Sequence, residues 1–364
     1  MLTKKMIFIN NYLNPHVISM CDELFAYYKN DFMSLEYSKV NSERKKMDWS
    51  SIERPYKHMY YEHLNDVLEA DTVIFGGIID KTIGKRIRAG KNTFLMTERP
   101  YKVPTTKRNY IRRRIGAYIH FNRYQCDNLF LLCMGSHVVE DMQSFGNFKD
   151  RMFQWGYFPT FQKYAQSDLV RDNDCIHILW ASRMIPLKHP EIVLHIAKRL
   201  KNQNVPVIVE MIGGGEILDD VKKLDRDIGC GIQFTGELPF SEVRKKMHQS
   251  DIFLFTSDRN EGWGAVVNEA MNEGCAVISS EYPGAAGCLI SNGKNGFVFT
   301  NEEELFGIIT KVINETALRK TLSRNAYQTI EQEWNAKTAV QRLIDTIEDN
   351  FTSNYISGPM KRIG

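Results

Sequence analysis

Short apolar runs alternate along this chain with longer stretches whose apolar residues recur every three to four positions. That alternation is the signature of strands feeding helices in a parallel α/β architecture. In the first half the pattern predicts strands at 5–10, 32–38, 72–76, 93–97 and 129–134, with helices at 15–28 and 81–89 among them. In the second half it predicts strands at 176–181, 207–212, 232–234, 252–256 and 276–280, separated by helices at 190–201, 216–227, 240–249 and 265–273. Unbroken apolar runs such as Ile252-Phe253-Leu254-Phe255 suit strands covered on both faces.

At 364 residues the chain suits two domains better than one core. The polar stretch 163–174 is the expected junction. The domain boundaries read as 1–168 and 169–345, with a C-terminal helix and tail over 346–364 that crosses back to the first domain. Residues 43–63 are polar and aromatic without clear period and read as a long insertion loop, and 351–364 as partly disordered. A hydrophobic content of 43% with 25% charged residues is that of a globular protein. The net charge of +3 is unevenly spread: residues 1–168 hold 25 Lys and Arg against 18 Asp and Glu, a balance of +7, and the remainder 22 against 26, a balance of −4. The first half is therefore the one expected to meet an anionic surface. The seven cysteines include no C-x-x-C pair, which favours buried reduced thiols over a disulfide or metal framework. The N-terminal apolar run is too short for a signal peptide, and no stretch approaches the roughly 20 apolar residues that span a bilayer. The expectation is a cytoplasmic protein, peripheral on the inner face of the cell membrane.

Candidate chemistry concentrates in 251–296. A strand runs into a polar loop, then Gly262-Trp263-Gly264, then a helix. Ligands of open α/β sheets sit beyond the carboxyl ends of strands, where glycines allow close approach and the free N–H groups of a helix attract a diphosphate. Glu261 and Glu269 flank the turn; eight residues of helix separate them by about 12 Å. That is too far for the roughly 5 Å carboxylate pair of a retaining hydrolase. It better matches the two ends of a nucleotide sugar, with Glu261 on sugar hydroxyls and Glu269 on ribose. Taken singly, each reads better as a solvated glutamate at the start of or along a helix; together with the glycines, the two read better as ligand contacts.

The stretch resembles the E-x7-E region of retaining glycosyltransferases of family 4, and the resemblance runs through most of the second half. Ala181-Ser182-Arg183-Met184-Ile185-Pro186-Leu187-Lys188 is similar to the family's strand-to-loop segment, whose Arg and Lys contact the donor diphosphate. Met211 to Glu216 is similar to its G-x-G strand end, which brings in Gly213 and Gly215. Phe234-Thr235-Gly236-Glu237-Leu238 resembles the segment near the nucleobase, and Gly284 with Asn292-Gly293-x-x-Gly296 the pattern that follows. The resemblance implies a GT-B fold, two facing Rossmann-like domains with the donor cleft between them. It implies a metal-independent, retaining transferase in which Arg183, Lys188 and Glu261 carry the chemistry. The donor would be held by Gly213, Gly215, Gly236, Glu237, Leu238, Gly262, Trp263, Gly264 and Glu269. The first half matches less well: the loop after the first strand lacks the usual glycine pair, and Glu98-Arg99 stands where family members often carry a histidine. His16, Glu98 and Arg99 are the candidates on the acceptor side.

Other motifs carry less. Asp172-Asn173-Asp174 and Asp225-Arg226-Asp227 have the form of metal-binding triplets but read as solvated charges, and the scattered histidines show no H-x-x-x-H pair. No cofactor or metal is expected. The basic run 102–114 reads either as a solvated face or as docking on an anionic leaflet, each basic residue contributing about 1 kcal/mol there. No nucleic-acid module accompanies it. The expected partners are a nucleotide-sugar donor, UDP before GDP, and a glycan or polyprenyl-linked glycan acceptor in capsule, O-antigen or exopolysaccharide synthesis. A nucleotide-sugar epimerase of the same fold and a non-catalytic donor-binding subunit remain alternatives.

Overall fold

The computed structural model describes residues 4–38, 53–100, 108, 111–112, 115–116, 126–143, 148–169, 171 and 175–364. Lys102, Lys107, Arg113 and Arg114 of the basic run, and the triplet Asp172-Asn173-Asp174, lie outside them. The chain forms two compact units: Met1–Thr160 with Trp334–Gly364, and Phe161–Glu333.

The first unit is built from β1 (Met6–Asn10), α1 (Ile18–Tyr28), β2 (Phe32–Glu36), β3 (Lys57–Met59), α2 (Leu64–Glu69), β4 (Thr72–Gly76), α3 (Lys81–Arg88), β5 (Asn92–Thr97), β6 (Leu129–Met134), α4 (Ser136–Gln143) and β7 (Met152–Trp155). Its sheet runs β3-β2-β1-β4-β5-β6-β7 with every pairing parallel. The inner strands β1 and β6 are buried along their whole length, as their unbroken apolar runs require. One expectation needs correcting here. Within 43–63, read as a loop, Lys57–Met59 pairs in parallel with Ser34–Glu36 and forms the sheet's edge.

The second unit contains β8 (Ile176–Ala181), α5 (Pro190–Asn202), β9 (Val207–Ile212), α6 (Leu218–Ile228), β10 (Gln233–Gly236), α7 (Phe240–Gln249), β11 (Ile252–Phe255), α8 (Val266–Asn272), β12 (Ala276–Ser280), α9 (Gly284–Leu289), β13 (Phe297–Phe299), α10 (Glu302–Asn314) and α11 (Thr316–Gln332). The strand order β10-β9-β8-β11-β12-β13 is the doubly wound 3-2-1-4-5-6 arrangement. The order reverses between β8 and β11, so their carboxyl ends form the switch point where such sheets bind ligands. Parallel pairing puts the loops after β8, β9, β10 and β11 on one edge.

The chain then returns to the first unit. Trp334 stacks on Phe158, with ring centroids 6.4 Å apart. Asn335 caps α12 (Ala336–Glu348) by accepting from the Thr338 N–H, and α12 packs on α1. The tail expected to be partly disordered is packed instead. Phe351 stacks on Phe130 at 3.8 Å, and Met360 is fully buried. The backbone of Met360, Lys361 and Ile363 hydrogen-bonds along β7 at 2.8, 2.8 and 2.9 Å. Its apolar side chains cover the end of the sheet, which outweighs the ordering cost of a terminus.

Candidate nucleotide-sugar site

The switch-point edge of the second unit is assembled by backbone bonds between successive strand ends. Ser182 N–H donates to the Ile212 carbonyl at 3.0 Å, Met184 to Gly214 at 2.7 Å, and Gly213 to Gly236 at 2.8 Å. The loops after β8, β9 and β10 are thereby sewn together. Gly213 and Gly215 have φ of +133° and +150°, and a Cβ on either would stand 1.9 Å from the Ser182 carbonyl oxygen or 2.3 Å from that of Met184. Only glycine permits this approach.

The loop after β11 docks on the same edge. Asp258 N–H donates to the Leu187 carbonyl at 2.9 Å, and the Thr256 hydroxyl to the Lys188 carbonyl at 2.6 Å. Trp180 in turn donates its indole N–H to Thr256 at 3.0 Å. These bonds bring Lys188 to Glu261, and the two side chains form a hydrogen-bonded ion pair with only 10% and 15% of their surface exposed. Lys188 also lies over the Phe255 ring, 4.9 Å from its centroid. Burial lowers the Lys188 pKa; Glu261 opposes this, and Arg183 adds to it by repulsion. Lys188 thus feels a second cation, Arg183, and two carboxylates, Glu261 and Asp258, with Arg183 exposed to solvent.

The remaining candidates divide between lining and scaffold. Glu237 is exposed, with its carboxylate packed over Gly214, and Leu238 is half-buried. Trp263 is 1% exposed and donates to Asn268 at 2.7 Å, so it anchors the turn from inside. Gly262 and Trp263 accept from the N–H groups of Gly284 and Ala285 at 2.9 and 2.8 Å, fixing the turn to α9. Gly264 packs against Phe255. Glu269 is not the solvated helix residue that its sequence alone allowed. Burial raises its carboxyl to about 7, with Arg244 pulling it down and Glu273 pushing it up.

In the first unit His16 and Glu98 meet through Tyr157. The His16 and Tyr157 rings are 5.4 Å apart, and the Tyr157 hydroxyl donates to Glu98 at 3.3 Å. Arg99 is committed elsewhere, in a two-pronged pair with the buried Asp141 at 3.0 and 3.3 Å. Sequence reasoning missed His189 and Asp258, which brace the edge. The only trace of them is the Asp258-Arg259-Asn260 triplet, a side-chain turn signal. Among the described residues no three His, Cys, Asp or Glu side chains are grouped as metal ligands, and no helix is long and apolar enough to cross a membrane.

A doubly wound sheet with cations and crowded glycines at its switch-point edge is an arrangement in which α/β domains commonly bind anions. Residues 163–329 match the model of the family described as glycosyl transferases group 1. It is 32% identical over 144 residues, 39% of its length, to the uncharacterized glycosyltransferase MJ1069 of Methanocaldococcus jannaschii. It is 24% identical over 180 residues, 47% of its length, to the GDP-Man:Man(3)GlcNAc(2)-PP-Dol alpha-1,2-mannosyltransferase of Xenopus laevis. The chain spans 36% and 35% of the lengths of these two relatives. The fold is similar to that of Anabaena Alr3699/HepE in complex with UDP, with a TM-score of 0.71 at 16% identity over 95% of this chain and 100% of that one. The architecture is that of the GT-B glycosyltransferases.

Proposed function

We propose that this chain is a glycosyltransferase that takes a sugar from a nucleotide-sugar donor held by its second unit. The observation that carries the reading is the buried Lys188–Glu261 pair beside Arg183, at the switch point of the sheet. Arg183 and Lys188 set two cations at that edge beside Glu261 and Asp258, and cations so placed are suited to receive a diphosphate. Arg183 and Lys188 then stabilise the diphosphate as it leaves, assisted by backbone N–H groups at Gly262 to Gly264. The glycine-lined approach at Gly213 and Gly215 admits the phosphates, Gly236, Glu237 and Leu238 border the base, Glu261 holds sugar hydroxyls and Glu269 those of ribose. Trp263 serves by holding the turn.

The resemblance to family 4 supports retention at the anomeric carbon. In that chemistry the acceptor oxygen bonds to the anomeric carbon from the side of the departing phosphate. The carbon–phosphate oxygen bond breaks, and the acceptor proton passes to the phosphate. No step requires a metal. UDP is the preferred carrier, since the similar Anabaena fold is described with UDP; GDP stands second, the donor named for the Xenopus relative. The acceptor is a glycan or polyprenyl-linked glycan of bacterial capsule, O-antigen or exopolysaccharide synthesis. The +7 balance of residues 1–168 favours an anionic membrane face as its location, with His16 and Glu98 on the acceptor side.

The test is incubation with a panel of nucleotide sugars, scoring free nucleotide, transferred sugar and epimerised sugar. One donor should release nucleotide slowly in water and faster with an acceptor glycan, and Glu261→Gln should cut turnover by about a hundredfold or more while nucleotide still binds. Epimerised sugar without acceptor would instead make the chain an epimerase. Donor binding without turnover would make it a binding subunit.

A further inference from the structure

We propose that His189 is a positioning residue that locks the Glu261 loop onto the loop carrying Arg183 and Lys188, an inference that rests on the donor-site reading above. His189 has φ 47° and ψ 53°, the left-handed conformation that side chains other than glycine seldom adopt, and it immediately precedes Pro190, where extended backbone is preferred. Such a conformation persists only where the surroundings hold it. Here the imidazole does so. Its Nδ1 lies 2.7 Å from Glu191 Oε1 and its Nε2 3.3 Å from Asp258 Oδ2. Both ring nitrogens face carboxylate oxygens, so both bonds form only when the ring is an imidazolium.

Asp258 is the node that this ring grips. Its carboxylate accepts from the Asn260 backbone at 2.7 Å and the Asn260 side chain at 3.2 Å, and its carbonyl accepts from the Glu261 N–H at 3.0 Å. Its own N–H bonds to Leu187, one residue before Lys188. A displacement of Asp258 is therefore transmitted to both members of the Lys188–Glu261 pair. The charged groups around the ring are Glu191 on α5, Asp258 on the loop after β11, and the neighbouring Lys188–Glu261 pair. Burial works against the charged ring, the two carboxylates work for it, and the balance raises the His189 pKa above the usual 6.5. The lock is closed below that raised value. It opens as pH climbs through it, when one nitrogen loses its proton and turns a lone pair toward a carboxylate.

The experiment compares the whole chain with its His189→Gly variant, because glycine adopts the required φ without strain. Amide hydrogen exchange at Asn260 and Glu261 should quicken about tenfold in the variant, while Gly213, bonded to Gly236, is unchanged. With the donor found by the panel above, kcat should fall about tenfold and the donor KM stay within about twofold. The wild-type loss of kcat on the alkaline side should disappear. Asp258→Asn should reproduce these changes and add little in the double variant. Unchanged exchange at Asn260 and Glu261 would overturn the proposal, as would a variant that keeps wild-type kcat and its alkaline limb. The exchange measurement needs no donor, so a chain that turns over no nucleotide sugar sinks the functional reading without deciding this one.

Discussion

Glu269 shows what a single buried group costs and what it offers. Its carboxyl is raised to about 7, mainly by burial, against about 4.3 in an unfolded chain. The folded state therefore holds a proton that the unfolded state has released between those values. The stability this group contributes is fully present below about pH 4 and is lost as pH rises from there through 7, by an amount of order 3 kcal/mol. Glu269→Gln should remove this dependence, so the variant melts above wild type at pH 8 and level with it near pH 4, measured by thermal unfolding at both. Equal melting differences at the two values would contradict the assignment. On the functional reading the same substitution weakens nucleotide binding, since a carboxylate that costs stability is kept for its ligand. The sequence did not carry this signal: Glu269 stands among Asn268, Asn272 and Glu273, and only the structure shows Val267 to Asn272 buried throughout.

At the scale of elements, legibility followed burial. The long inner strands and their helices stand where period and apolar runs put them, β8 and β9 to the residue. The strands that escaped, β3, β7 and β13, are each three or four residues long and lie at the edges of their sheets. Of these, β3 reads Lys-His-Met, is half-exposed and carries little apolar sequence. By contrast, β7 (Met-Phe-Gln-Trp) and β13 (Phe-Val-Phe) are apolar but too short for a period to register. The strand-end loops were legible through their glycines, because a glycine needed for close approach leaves no cheaper residue. Gly213→Ala should destabilise the chain by about 2–4 kcal/mol, since its Cβ falls 1.9 Å from a backbone oxygen at φ +133°. Gly307→Ala, inside α10 with nothing near the added carbon, should stabilise it by about 0.5–1 kcal/mol. Chemical denaturation of the two variants checks both signs. What escaped at the candidate site, His189 and Asp258, depends on contacts 69 residues apart, which no local period records.

At the scale of the molecule, the first unit is completed by residues that follow the second. The α12 side chains Ala339, Val340, Leu343, Ile344 and Ile347 are buried, and Phe351 stacks on Phe130 across more than 200 positions of sequence. The family resemblance implies a last helix that crosses back to the first domain, a crossing that periodicity alone does not record. A chain ending at Glu333 should therefore lose the calorimetric transition of the first unit and keep that of 161–333; loss of both would show that the second unit does not fold alone. The central claim, that the switch-point edge of the second unit holds a nucleotide diphosphate, is tested most directly by the thermal shift that UDP produces in wild type and in Arg183→Ala. Arg183 is exposed, so its removal spares the fold. UDP at 100 times its dissociation constant should add about 2.7 kcal/mol of stability to wild type and far less to the variant at the same concentration. No shift in wild type with either UDP or GDP, or the same shift in both proteins, would contradict the account.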